Sequence, residues 1–84
     1  MLLFLNMLPK DRIKPILAEK LGIDTTDIDD SNLLVEDLGL SGGTLSEILD
    51  MIKDKTEVEV PIEEAKEVLT VGELINVVEQ NTLE

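Results

Sequence analysis

The sequence contains no cysteine, histidine, tryptophan or tyrosine, and only one phenylalanine among its 84 residues. The first two absences exclude disulfides, thiolate and imidazole nucleophiles, and zinc sites built from cysteine and histidine. Most classes of enzyme are excluded with them. Since 43% of the chain is hydrophobic but almost none of it aromatic, the core must consist of leucine, isoleucine and valine. Such a core suits packed helices, and we predict one small domain spanning residues 1–84.

Positive charge is also scarce, with seven lysines and arginines against 19 acids and a net charge of −12. Residues 21–84 hold only three of the bases and 17 of the acids. The excess of negative charge repels phosphate backbones, so we expect no nucleic-acid partner. The same charge attracts a partner with a basic patch. The alternative is that the acids only keep a small helical protein in solution.

Long hydrophobic runs are missing as well. The apolar leader, residues 1–8, is too short to span a bilayer and lacks the basic start of a signal peptide, so we expect no membrane association. This leader either packs against the domain or precedes a natural start at Met7.

Apolar residues at helical spacing predict a first helix over Lys10–Leu21, stopped by Gly22. Pro15 requires that this helix begin near Arg12 or bend. The connection that follows, residues 23–39, has no sustained periodicity. Six apolar residues are expected to pin it to the core: Ile23, Ile28, Leu33, Leu34, Val35 and Leu38.

Four acids of this connection suggest a divalent cation: Asp24, Asp27, Asp29 and Asp30. They lack the glycine and closing glutamate of a calcium-binding loop. We therefore predict turn and capping roles for them and no metal site.

The second helix has an apolar face made of Leu45, Ile48, Leu49 and Ile52. Its start has two interpretations. Thr44 and Glu47 form a capping-box pattern, whereas Ser41 is an equally suitable cap for a helix that begins at Gly42.

The C-terminal third predicts a short extended piece that ends at Pro61, then a short helix over Ile62–Val68. Thr70 and Glu73 form a second capping-box pattern that opens the last helix. Residues 80–84 are expected to fray.

This order of elements resembles the acyl carrier proteins. The resemblance runs without a gap from Pro9 to Glu79, through Leu21-Gly22-Ile23, Val35-Glu36-Asp37-Leu38-Gly39, Glu47, Pro61, Glu64-Ala65 and Thr70-Val71. It implies an all-α, four-helix bundle with three longer helices, one short helix and a long loop between helices one and two. It also implies a cytoplasmic, monomeric, non-enzymatic module of acyl-group metabolism such as fatty acid biosynthesis.

The family carries acyl groups on phosphopantetheine, attached to the serine of an Asp-Ser-Leu motif at the start of helix two. Without a gap, that motif falls on Ser41-Gly42-Gly43, and the attachment position is Gly42. We therefore expect a module without the standard attachment; the alternative is a true carrier with phosphopantetheine on Ser41. A further alternative is non-covalent anion binding by Ser41–Thr44 at the helix N-terminus.

The resemblance also implies that helix two docks on basic partner enzymes. Its outward acids are Glu47, Asp50 and Asp54, and Lys53 and Lys55 dilute their charge. These three acids are the predicted docking residues.

Overall fold

Four α-helices form the part of the chain that the computed structural model describes, residues 9–82. They are α1 (Ile13–Leu21), which follows a 3₁₀ turn at Pro9–Arg12, then α2 (Gly42–Thr56), α3 (Ile62–Ala65) and α4 (Val71–Gln80). Residues 9–82 contain no strand, only an isolated antiparallel bridge between Leu33 and Thr70. The predicted all-α bundle of three longer helices and one short helix is confirmed. The predicted leader, residues 1–8, lies outside the described residues, as do the last two residues of the predicted tail.

The core is aliphatic, as the composition requires. Sixteen hydrophobic residues are buried, and none of the buried residues in the described part is polar. The fully buried large side chains come from three helices: Ile13, Ile16 and Leu17 of α1, Ile48 and Ile52 of α2, and Val71, Leu74 and Val78 of α4. Each such side chain contributes about 1.5–3 kcal/mol relative to an exposed one. These three helices therefore contribute to one shared core, which holds α2 in place.

Helix α1 accommodates its proline because Pro15 is its third residue. The first four N–H groups of a helix have no intrahelical partner, so the missing N–H costs nothing there. Gly22 ends the helix with φ 73°, and its N–H donates to Ala18 O at 2.8 Å. The predicted glycine stop is confirmed.

In the structure the long connection runs over residues 22–41, between α1 and α2, and it is anchored by Ile28, Leu34 and Leu40, each 3% exposed. The prediction that all six of its apolar residues face the core is wrong for Ile23 and Val35, which are 40% and 69% exposed. Leu33 is half-buried and does not pack against the core either. Val35 lies in a turn, where its carbonyl accepts from Gly39 N at 2.9 Å. In a helical turn of this kind successive side chains point about 100° apart, so Leu34 faces the core while Val35 faces outward.

The short third helix ends at Ala65 rather than at the predicted Val68, because Lys66 and Glu67 form a turn before Val68. Thr70 caps α4 as predicted, since its Oγ1 accepts from Glu73 N at 3.2 Å. In the predicted capping box, the Glu73 carboxylate would accept from the N–H of Thr70. In the structure it accepts from Leu69 N, one residue earlier, at 2.7 Å.

Replacing Glu57 by glycine is expected to stabilise the protein. Glu57 ends α2 with φ 63°, the only positive φ of a non-glycine residue in residues 9–82. A side chain in this conformation costs about 1 kcal/mol, which Glu57→Gly recovers in the free energy of unfolding measured with urea. Glu57→Ala is the control, because it removes the same charge but keeps the Cβ atom. Equal stabilisation by both variants would contradict the prediction.

Candidate functional site

Ser41 is the N-cap of α2. Its backbone is extended, its Oγ accepts from Thr44 N at 3.4 Å, and the Oγ atoms of Ser41 and Thr44 are 3.2 Å apart. The backbone bond from Leu45 N to Ser41 O, 2.9 Å long, closes the first turn. The helix therefore begins at Gly42, and the capping box predicted at Thr44 does not form because Thr44 is already inside the helix.

Gly42 and Gly43 are the first two residues of α2. Neither has a positive φ, and a Cβ atom built on either would have no heavy atom within 4 Å. The local backbone therefore does not require glycine at these positions, and a serine fits at either. Gly42, however, offers no side-chain oxygen at the position where the resemblance expects the attachment serine.

The turn before α2 fixes the direction in which this helix end points. Gly39 adopts φ 71°, a conformation that favours glycine. The Asp37 carboxylate accepts from Leu33 N at 2.8 Å, and Leu40 N donates to Leu34 O at 2.9 Å. Leu40 is buried, so the residue immediately before the Ser41 cap is held by the core.

An apolar cleft of about 180 Å³ opens beside the start of α2. Its apolar lining comes from the turn, α2 and the α3 region: Leu34, Val35, Leu40, Leu45, Ala65 and Val68. Ser41, Gly42 and Lys66 complete the lining. The cleft can therefore shelter a small apolar group held at this helix end. No periodic or motif signal in the sequence predicted that Lys66 borders it.

The outward face of α2 exposes the three predicted docking acids, Glu47, Asp50 and Asp54. They differ in their surroundings. Glu47 Oε1 forms an ion pair with Lys20 Nζ of α1, which the sequence analysis did not predict. Asp50 and Asp54 have no ion-pair partner among the side chains that the structure describes.

The lysines of α2 are themselves partly neutralised. Lys53 Nζ lies 3.7 Å from Glu59 Oε2, and Lys55 Nζ lies 3.7 Å from Glu19 Oε1. These lysines therefore dilute the acidic face less than the sequence alone suggests.

Among the four acids of the long connection predicted to have turn and capping roles, Asp30 forms a 2.8 Å ion pair with Lys14. Asp29 bonds through its backbone, whose N–H donates to the side chain of Asn32 at 2.8 Å, and Asp24 precedes a 3₁₀ turn without a capping bond from its side chain. Within residues 9–82, no group of three or more potential ligands is arranged to hold a metal ion. No helix in the same range is long and apolar enough to cross a membrane.

The geometry describes a small helical domain that presents the start of a 15-residue helix beside an apolar cleft. A family model, the phosphopantetheine attachment site, matches residues 11–78. An acyl carrier protein of Clostridium acetobutylicum is 32% identical over 74 residues, which cover 88% of this chain and 96% of the relative. One of Wolinella succinogenes is 31% identical over 71 residues, 84% of this chain and 93% of the relative.

The chain belongs to the acyl carrier protein family. Acyl carrier proteins are carriers and not enzymes, which confirms the predicted class.

Removing the Ser41 hydroxyl is expected to destabilise the start of α2. Loss of an N-cap costs about 0.5–1 kcal/mol for an exposed bond of this length, so Ser41→Ala should lower the free energy of unfolding by that amount in urea titrations. Ser41→Asp is the control, because its carboxylate restores an acceptor and favours the helix dipole. If Ser41→Ala were as stable as the native protein, the capping role would be contradicted.

Proposed function

We propose that this chain acts by docking on enzymes of acyl-group metabolism and does not carry phosphopantetheine at the position usual in its family. The observation that carries the proposal is the glycine at position 42, the first residue of α2. A phosphate ester requires a side-chain hydroxyl, and glycine has none. The residue at this position does not fit the group, so no step of the proposed function passes through an arm attached there.

The alternative function is that of a true carrier with phosphopantetheine on Ser41. The exposed hydroxyl of Ser41 and its place beside the apolar cleft favour this alternative. The position of Ser41 is unfavourable for this alternative, because Ser41 precedes α2 and serves as the cap of that helix. Esterification would crowd the oxygen that accepts from Thr44 N.

The docking surface of the proposal is the outward face of α2. Three acids are exposed there: Glu47, Asp50 and Asp54. They belong to residues 21–84, which hold 17 acids and three bases. The partner chemistry that fits is a basic patch on an enzyme, since charged rims of this kind raise association rates and select partners. The proposed working form is a cytoplasmic monomer, in which this face is free to dock.

Intact-mass measurement tests the missing attachment. After incubation with coenzyme A and a broad-specificity phosphopantetheinyl transferase, we expect no mass gain for the native chain. The variant Ser41→Ala/Gly42→Ser should gain one phosphopantetheine, because a Cβ atom at position 42 meets open space. Ser41→Ala/Gly42→Ala is the matched control and should gain nothing.

A mass gain in the native chain would contradict the proposal. If Ser41→Ala abolished that gain, the alternative function on Ser41 would replace it.

Charge reversal tests the docking face. Glu47→Lys/Asp50→Lys should lower the association rate with the same transferase by roughly tenfold at low salt, and the difference should shrink at high salt because screening weakens rim charges. Asp24→Lys/Asp27→Lys, two exposed acids of the long connection, makes the same change in net charge. Biolayer interferometry on immobilised transferase measures both. Equal losses in the two double variants would assign the effect to net charge alone.

A further inference from the structure

The ion pair between Lys20 and Glu47 joins α1 to the proposed docking face. The Lys20 side chain is 32% exposed and the Glu47 side chain 60% exposed, so this pair lies at the surface and not in the core. A carboxylate that accepts from an ammonium of its own chain has part of its hydrogen-bonding capacity occupied. A cation from a partner therefore competes with Lys20 for Glu47.

The two other docking acids carry no such restriction. Among the described side chains, Asp50 and Asp54 have no ion-pair partner. They are four residues apart on α2, about 6 Å along the helix axis, so they lie on the same face. The face therefore offers two available carboxylates one turn apart and a third that is held by α1.

We propose that Lys20 determines which partners this chain accepts, by withholding Glu47 from the docking surface. The partner that fits is a basic patch with two cations spaced to meet Asp50 and Asp54, without a third cation that relies on Glu47. This inference rests on the proposed docking function of α2. Lys20 acts through Glu47 and is a specificity-determining residue, not a contact for cargo.

The chain offers a close control for Lys20. Lys14 also lies on α1, is 34% exposed, and forms one ion pair, with Asp30 in the long connection. Lys20→Met and Lys14→Met remove the same charge from the same helix and break one ion pair each. Only Lys20→Met frees an acid of the docking face.

The experiment measures association rates with immobilised broad-specificity phosphopantetheinyl transferase at low salt. Lys20→Met should raise the rate about threefold, and Lys14→Met should change it clearly less, because only the first adds an available carboxylate to the face. Lys20→Met/Glu47→Gln should return the rate to the native value or below it. Thermal unfolding of each variant checks that the fold is retained.

Equal increases for the two lysine variants would overturn the inference, since net charge alone would then explain them. Persistence of the gain in Lys20→Met/Glu47→Gln would overturn it as well. Asp50→Asn/Asp54→Asn separates this inference from the proposed function. A lower rate in that variant, without a gain in Lys20→Met, rejects only the role of Lys20, whereas an unchanged rate rejects the docking face and the inference with it.

Discussion

The long connection is attached to the start of α4 by its backbone, and this attachment fixes the place at which α2 begins. Three backbone bonds make this attachment: Leu34 N to Leu69 O at 2.8 Å, Val71 N to Asn32 O at 3.0 Å, and Gly72 N to Asp30 O at 2.9 Å. A Cβ atom at position 72 would lie 3.3 Å from Asp30 O, so glycine permits this close approach. Because the connection is fixed there, its last buried residue, Leu40, delivers Ser41 to the head of α2 at a defined place.

This positioning also explains why the start of α2 forms with glycine at position 42. The cap, the turn and the apolar cleft depend on Ser41, Gly39 and the core, and none of them depends on a side chain at position 42. A hydroxyl at position 42 is therefore not needed for this helix to form. The outward face of α2 belongs to the same helix, so the proposed docking without an arm is consistent with this structure.

The helices were predictable from the sequence because their signals are local. The spacing of apolar residues predicts each helix, Gly22 ends α1, and Thr70 caps α4. Each of these effects is confined to one or two helical turns. The first residue of α2 was not predictable in this way, since both Ser41 and Thr44 are suitable N-cap residues. Ser41 is the cap because the long connection, which is bonded to α4, places it there. The exposure of Val35 depends on the direction of a turn, which composition does not specify. Lys20 and Glu47 are 27 positions apart in the chain, so only the packing of α1 against α2 reveals their pairing.

The central claim is that this member of the acyl carrier protein family works with no phosphopantetheine at the head of α2. The most direct measurement is mass spectrometry of the protein isolated from its own cells, with fragmentation of the peptide that contains Ser41 and Gly42. The account predicts that this peptide has the mass of its unmodified sequence. A phosphopantetheine on that peptide would contradict it.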